Sequence, residues 1–244
     1  IENSMNVVVS GCVVESNTYS ATYASAAGIY AAADTSVTLS NCMVRGNTAN
    51  APGAGTLSAY GGGIYSLGIL TLRDSVIVQN ASTAAGAWSG GGFGGGVYFA
   101  GQNLTLRNVL VDNNVASHQG QGVQVNAGTA DFGNCSIVNH SGQGLRQVGG
   151  TVGVTNCIFW GNTTDTSGTM TVSYSLVGLD PLFEYGYYLG AGSPATNAGS
   201  DTAANLGLQS YAKNAAGESY GAAETVNMGY HYKTGAYTAY ADLY

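Results

Sequence analysis

Short stretches in which apolar and polar residues alternate recur along most of the chain. Examples are Val37-Thr38-Leu39 and Leu70-Thr71-Leu72, in which the flanking residues are apolar and the central one is polar. Alternation at period 2 places the apolar side chains on one face of an extended backbone, so it predicts half-buried β-strands. No window shows a convincing helical period, and turns rich in Gly and Asn separate the strands.

These strands belong to an internal repeat. Six segments align without gaps, and each carries a short apolar run followed closely by Asn or His. The copies begin at Ser10, Ser40, Arg73, Arg107, Gly133 and Thr155. A Gly-apolar-Tyr motif precedes several copies, as in Gly28-Ile29-Tyr30, Gly63-Ile64-Tyr65 and Gly96-Val97-Tyr98.

Three short strands per repeat, with a shortest spacing of 22 residues between copies, predict an all-β fold, a right-handed parallel β-helix. We expect about 6–7 rungs, stacked ~4.8 Å apart, so that like residues form columns. Residues 1–179 form this β-helix in our interpretation. Residues 180–244 are Tyr-rich and lose the period, which predicts a segment that folds back along the β-helix or caps its end, and possibly an assembly tail.

The repeat assigns several residues to columns. Two apolar columns are predicted to point inward; they contain Ile29, Ile64, Val97, Val123 and Leu145, and Leu39, Leu72, Leu106 and Val154. A polar column, which we call the Asn ladder, contains Asn17, Asn47, Asn80, Asn114 and Asn162. We interpret it as structural, because Asn tolerates a left-handed corner and its amide can bond to the next rung. His140 interrupts the ladder and is interpreted as a turn residue.

All four cysteines share one further column. Stacking of Cys12 on Cys42 and of Cys135 on Cys157 gives a Cα separation that a disulfide permits, but parallel side chains suit the bond poorly. Buried reduced thiols are therefore favoured, with oxidation of either pair left open. No His or carboxylate shares the column, so no metal site is predicted, and nothing in the sequence calls for a cofactor.

The composition excludes several classes of partner. Charged residues make up 8% of the chain, with six Lys plus Arg against 13 Asp plus Glu. Such a chain has no basic stripe for a nucleic acid backbone. No apolar run approaches the ~20 residues of a membrane-spanning helix. The chain begins at Ile1, without an initiator Met or a signal peptide, which indicates a mature or trimmed piece of a longer product.

Aromatic residues provide the candidate binding sites. If the Ile and Val of the Gly-apolar-Tyr motif point inward, then Tyr30, Tyr65 and Tyr98, the Tyr column, point outward and could stack sugar rings. Three insertions rich in small residues, at 18–27, 48–62 and 81–95, leave the same edge of the β-helix, and the last contains Trp88. These insertions could bind a ligand, or they could form extra sheet layers that cover the Tyr column.

The motifs bear a family resemblance. Gly61–Tyr65 and Gly94–Tyr98, each followed by an apolar-x-x-Asn corner, resemble repeats of polymorphic outer-membrane proteins and autotransporter passengers. Asp180-Pro-Leu-Phe183, Ser193-Pro-Ala195 and Val226–Tyr232 are similar to the closing segment of bacterial β-helix surface proteins, with Asn197 and Asn227 where acids are common in that family. The resemblance implies an extracellular or cell-surface protein.

Enzymatic function is not favoured. The β-helix enzymes that act on polysaccharides need acids clustered on adjacent rungs. Here the acids are expected at different rung positions, and Val78 separates Arg45 from Asp112. The first rung also exposes a strand edge. We therefore expect a non-enzymatic structural protein that associates with itself, head to tail, into a filament. The alternatives are a surface adhesin that binds glycans and a polysaccharide lyase or glycoside hydrolase of the pectate-lyase-like fold.

Overall fold

The structure is a computed structural model that describes residues 1–2, 5–53, 57–85 and 90–234. Short parallel strands dominate it. In chain order they are β1 (Val7–Ser10), β2 (Val13–Glu15), β3 (Thr18–Ser20), β4 (Tyr23–Ser25), β5 (Ile29–Ala31), β6 (Ser36–Ser40), β7 (Met43–Arg45), β8 (Thr48–Ala51), β9 (Ser58–Tyr60), β10 (Ile64–Ser66), β11 (Ile69–Val78), β12 (Ala81–Ala84), β13 (Gly91–Phe93), β14 (Val97–Phe99), β15 (Asn103–Asp112), β16 (Val115–Ala116), β17 (Val123–Val125), β18 (Thr129–Gly133), β19 (Ser136–Val138), β20 (Gln143–Gln147), β21 (Thr151–Thr155), β22 (Ile158–Trp160), β23 (Thr164–Ser167), β24 (Thr171–Ser173) and β25 (Leu176–Val177). A 3-10 turn (Tyr185–Tyr187) and one short helix, α1 (Ala203–Leu206), follow.

The strands form four parallel sheets that run along the chain's repeat. The largest follows the order β1-β6-β11-β15-β18-β21-β24, with β2, β7, β19, β22 and β25 in the same sheet. The second has the order β5-β10-β14-β17-β20-β23, and two smaller sheets have the orders β3-β8-β12-β16 and β4-β9-β13. Each strand pairs with its counterpart in the next repeat, so the predicted parallel β-helix is confirmed.

Like residues stack in the predicted columns. Ile29, Ile64 and Val97 pair in register, and the column continues through Val123 to Leu145. In the other apolar column Phe132 lies between Leu106 and Val154. Most of these side chains are completely buried, so the coil interior is a continuous hydrophobic core that stabilises the fold by ~25 cal/mol per Å² of apolar surface removed from water.

The insertions add layers to the β-helix. The third and fourth sheets are built from strands of the three insertions, together with β16. Small buried residues let the layers approach closely: Ala24, Ala49 and Ala59 are completely buried, and a Cβ on Gly92 would lie 1.8 Å from the carbonyl oxygen of Ser82. The expectation that these segments form extra sheets is confirmed.

Of the two reasons given above for Asn in the ladder, the left-handed backbone is wrong and the amide bond to the next repeat is confirmed. The left-handed backbone is adopted one position earlier, at Ser16, Gly46, Gln79, Asn113, Asn139 and Gly161, with φ between 49° and 71°. The ladder residues themselves are absent from this left-handed set. The turn before each ladder residue therefore supplies the left-handed backbone, and the ladder side chain supplies the hydrogen bonds.

The Asn ladder is a continuous chain of amide hydrogen bonds. The backbone N–H and Nδ2 of Asn47 both donate to Oδ1 of Asn80, at 3.0 and 2.9 Å. Nδ2 of Asn80 donates both to Asn114 Oδ1, at 3.0 Å, and to the carbonyl of Val44, at 2.9 Å. Asn17 makes the same contact with Asn47. Each amide therefore satisfies buried groups on both neighbouring repeats, which an apolar side chain could not do.

His140 continues the ladder, contrary to the expectation that it interrupts it. Its backbone N–H and Nδ1 lie 3.0 and 2.7 Å from Asn162 Oδ1, and its Nε2 lies 3.3 Å from Asn114 Nδ2. Because the amide oxygen only accepts and the amide nitrogen only donates, Nδ1 carries the proton and Nε2 accepts. The neutral imidazole reproduces the donor and acceptor pattern of Asn.

The cysteine column shows one departure from prediction. The structure contains free thiols at all four positions, and Cys42, Cys135 and Cys157 are buried as expected, but Cys12 is exposed. Cys12 belongs to the first repeat, where no described residue covers the column from outside. Ser and Cys side chains play the same acceptor role in this column: Cys42 N–H donates to Ser75 Oγ at 3.1 Å, and Cys135 N–H donates to Cys157 Sγ at 3.4 Å. Burial raises the pKa of Cys157 well above its usual value, which keeps that thiol protonated.

Truncation of the central ladder residue tests this description. Asn80→Ala leaves the backbone N–H of Asn47 buried without an acceptor and removes the hydrogen bonds of the Asn80 side chain to Asn47 Nδ2, Asn114 Oδ1 and the Val44 carbonyl. We therefore expect a loss of ~3 kcal/mol in the free energy of unfolding. Urea denaturation measures it. The matched control is Asn17→Ala, at the exposed first position of the same ladder, where the loss should stay below ~1 kcal/mol. Equal losses of unfolding free energy in the two variants would contradict a stabilising role for the buried part of the ladder.

Candidate functional site

The Tyr column has the predicted register. Tyr30 pairs with Tyr65 and Tyr65 with Tyr98 on adjacent strands of the second sheet. Their ring centroids are 5.5 and 5.2 Å apart, within the range of favourable aromatic pairs. The three rings therefore form one continuous aromatic column along the axis.

The insertions cover much of this column. Tyr60 of β9 packs against Tyr65 and Tyr98 with centroid distances of 5.7 and 4.9 Å, and Phe93 of β13 stacks on Tyr60 at 5.6 Å. Tyr98 is only 7% exposed. Burial and the neighbouring tyrosines raise the pKa of Tyr98 to about 12. The ring faces are thus mainly occupied by one another, and the raised pKa keeps the Tyr98 hydroxyl protonated near neutral pH. Trp88 lies outside the described residues.

A second column, not singled out from the sequence, contacts the C-terminal part of the chain. It is the left-handed second position of each repeat copy, occupied by Gly11, Asn41, Asp74, Asn108, Asn134 and Asn156. The recurring Asn or Asp before each Cys, Ser or Val was visible in the alignment of the six copies. The contact with the C-terminal part of the chain could not be predicted, because an Asn side chain at a tight turn usually forms hydrogen bonds with its own local backbone.

Residues 180–234, which we call the fold-back segment, lie along this column. Asn156 exchanges hydrogen bonds with Ser200, 3.0 Å from Nδ2 to Oγ and 2.8 Å from Ser200 N–H to Oδ1. Asn108 does the same with the backbone of His231, at 2.9 and 2.7 Å. The hydroxyl of Tyr211 donates to Asp74 at 2.7 Å. The segment is therefore attached to successive repeats through one kind of polar position.

A cleft of about 600 Å³ lies between the fold-back segment and the face of the largest sheet. Its floor includes Arg73, Arg107, Asp131 and Asn134, and its wall includes Tyr211 with Leu206 and Leu208. Arg107 pairs with Asp131, and Asp74 pairs with Lys233 at 3.2 Å. Clefts of this volume are typical of ligand sites, and most of the residues that line this one are polar or charged.

Buried ionisable groups lie under another part of the fold-back segment. Asp112 is completely buried and accepts a hydrogen bond from Nδ2 of Asn139 at 2.9 Å. Burial raises the pKa of Asp112, while hydrogen bonds from Asn139 and Tyr187 oppose that shift. Burial also raises the pKa of Tyr187 and lowers that of His231 to about 4. These groups join the segment to the β-helix.

The expected dispersion of the acids needs one correction. Glu15 and Asp112 occupy the same column, because Glu15 pairs with Arg45, Arg45 with Val78, and Val78 with Asp112. Three strand spacings, ~14 Å, still separate the two carboxyls. Arg45 contacts Glu15 at 2.5 Å, and Val78 separates Arg45 from Asp112 as predicted. In the described ranges no three potential ligands among His, Cys, Asp and Glu gather in a metal-binding group.

No helix in the described part of the chain combines the length and the apolar character needed to cross a membrane. No family model matches the chain, and neither a curated protein nor a solved structure matches it. The arrangement of the residues is therefore the basis for any statement about function.

Proposed function

We propose that this protein is a non-enzymatic structural β-helix that associates with itself, head to tail, into a filament. The observation that carries the proposal is the equivalence of the first and last strands. Val9 of β1 and Val172 of β24 belong to one inward column, which runs through the largest sheet. Val14 of β2 and Val177 of β25 belong to another.

Stacking of two copies would therefore continue both columns. Val172 and Val177, at one end of these columns, are 42% and 36% exposed. At the other end Val9 and Val14 are partly buried, and Val8 and Val13, their outward-facing neighbours on the first strands, are 69% and 58% exposed. Among the described residues, no strand pairs with the outer edge of β1 or of β24. Such edges accept another strand through backbone hydrogen bonds, and a repeated head-to-tail contact generates a filament.

The low charge content supports an interface between protein copies, and the family resemblance supports a location outside the cell. Only 8% of the residues are charged, and protein interfaces are depleted of charge at their centres. The similarity to polymorphic outer-membrane proteins and autotransporter passengers supports an extracellular or cell-surface location, which labelling of intact cells with an antibody against the chain would test. The glycan-binding adhesin and the polysaccharide-cleaving enzyme remain alternatives, and the covered Tyr column favours neither.

A lysine at the strand edge tests the proposed filament. Val8→Lys places a charge on the outermost strand, where it should prevent pairing with another copy. We expect regular rods of wild-type protein in negative-stain images without added ligand, and monomers for the variant. The matched control is Thr38→Lys, which adds the same charge at the residue paired with Val8 on the next strand, and it should still form rods.

The contrary results are distinct. A wild-type protein that stays monomeric at millimolar concentration, or a Val8→Lys variant that forms rods as readily as Thr38→Lys, would overturn the proposal. Release of unsaturated or shortened uronate products from pectin or alginate would instead favour the enzyme, and a monomer that retains a glycan would favour the adhesin.

A further inference from the structure

Basic residues gather at the cleft under the fold-back segment. Of the chain's six Lys and Arg residues, Arg73 and Arg107 line the cleft and Lys233 is bonded to Asp74 at its edge. In a chain with a net charge of −7, this places half of the positive side chains around one cavity. A local positive field in an acidic protein attracts anions by Coulomb forces.

Of these three basic residues, Arg73 is the one that has no ion-pair partner in the described part of the chain. Arg107 is paired with Asp131, and Asp74 accepts from Lys233 and Tyr211. Arg73 is close enough to Tyr211 to oppose the rise that burial causes in the pKa of that hydroxyl. The charges within each of these two ion pairs neutralise one another. Among the described residues at the cleft, the guanidinium of Arg73 is therefore the positive charge that remains unpaired.

A buried donor in the same cleft also lacks a partner. Asn134 is 7% exposed and its Nδ2 is buried without a hydrogen bond in the described structure. Its counterparts in the column, Asn108 and Asn156, are bonded to the fold-back segment, whereas Asn134 lines the cavity between those two attachments. A buried donor without an acceptor costs ~1–3 kcal/mol, so an acceptor-bearing ligand would remove a real penalty.

The positions of these donors indicate the shape of the ligand. Arg73 is on β11 and Asn134 follows β18, two strands further along the sheet, so they lie ~10 Å apart along the axis. Leu206, Leu208 and the ring of Tyr211 provide an apolar wall beside them. An apolar wall opposite polar groups matches a sugar, which has an apolar ring face and hydroxyl edges.

We infer that the cleft binds an acidic disaccharide unit, with its carboxylate or sulfate on Arg73 and an uncharged acceptor oxygen on Asn134. The ligand would lie along the β-helix axis across the pair Arg107–Asp131. This inference does not depend on filament formation, because the cleft is formed within one chain.

The experiment uses three probes on the full chain: digalacturonate, sulfated lactose and neutral lactose, titrated by calorimetry. We expect saturable binding of at least one acidic probe, about tenfold or more tighter than that of lactose. The preferred probe distinguishes a carboxylate from a sulfate. Arg73→Gln should weaken this binding by about tenfold or more, and Asn134→Gly, which keeps the left-handed corner (φ 53°), should weaken it less.

The control is Arg45→Gln, which removes the same charge from an arginine paired with Glu15 elsewhere on the sheet and should leave binding unchanged. Far-ultraviolet circular dichroism confirms the fold of each variant. The inference is overturned if no acidic probe saturates, if lactose binds equally well, or if Arg73→Gln and Arg45→Gln have equal effects. Inorganic sulfate that binds as tightly as the sugars would overturn the saccharide assignment.

Discussion

Gly63→Ala is expected to destabilise the protein by ~3 kcal/mol, even though it adds a single methyl group. A Cβ at this position would lie 2.7 Å from the carbonyl oxygen of Gly96 and 3.0 Å from the amide of Asn80. Both neighbours are fixed, the first by the sheet and the second by the Asn ladder, so the backbone itself must move. The two sequence motifs are therefore in contact. The first position of Gly-apolar-Tyr has no room for a side chain because the Asn ladder occupies the space beside it.

Gly153→Ala is the matched control. Gly153 also lies within a parallel strand, but the nearest atom to its added Cβ is Asp131 Oδ1, at 3.9 Å. Its unfolding free energy should change by less than ~1 kcal/mol. Urea denaturation measures both variants. Similar values for Gly63→Ala and Gly153→Ala would mean that the Gly column does not face the Asn ladder.

Acidification is expected to weaken the fold strongly between pH 6.5 and about 4. Burial lowers the pKa of both His140 and His231 from 6.5 to about 4. The unfolded chain therefore binds these protons first, so the stability contributed by each neutral imidazole is complete above pH 6.5. That contribution is lost as the pH falls towards 4, by ~3 kcal/mol per histidine. Asp112 acts in the opposite sense, because its raised pKa makes its ionised form the costly one.

His140→Asn separates the contribution of His140 to the acid sensitivity of the fold from that of the other titrating groups. Asn restores the side chain of the other ladder positions and does not titrate, so the variant should be close to wild type in stability at pH 7.5 and more stable at pH 4.5. The mechanism is specific: a protonated Nε2 would face the donor Nδ2 of Asn114. Denaturation at several pH values measures the difference.

His118→Asn is the control, because His118 is exposed and outside the ladder. It should leave the pH profile unchanged. A His140→Asn variant with the same acid sensitivity as wild type would show that protonation of His140 does not disturb the ladder.

The sequence was sufficient for the columns because a parallel β-helix repeats its contacts. Once two copies align, the neighbour of Ile64 must be the equivalent residue of the next copy, and the structure pairs it with Ile29 and Val97. The same logic identified the Asn ladder. It gave the wrong backbone conformation for the ladder residues. Spacing alone cannot show that the left-handed residue is one position earlier, as at Gly46 and Gln79.

The cleft could not be predicted because it depends on contacts outside the repeat. Its wall comes from residues around α1, and its attachment to the β-helix joins Asn108 with His231 across 123 positions of sequence. No period relates the fold-back segment to the columns that it contacts. Likewise, the covering of Tyr98 by Tyr60 depends on how an insertion turns, which small residues permit but do not specify.

A nuclear Overhauser experiment on the side-chain amides of the Asn ladder tests directly whether the repeats stack. Residues 17, 47, 80 and 114 are distant in sequence, but their amides are hydrogen-bonded in that order. The stacked ladder predicts cross-peaks that connect Asn17 to Asn47, Asn47 to Asn80 and Asn80 to Asn114, with no direct peak between Asn17 and Asn114. Amide cross-peaks from these residues only to their neighbours in sequence would contradict the stacked β-helix.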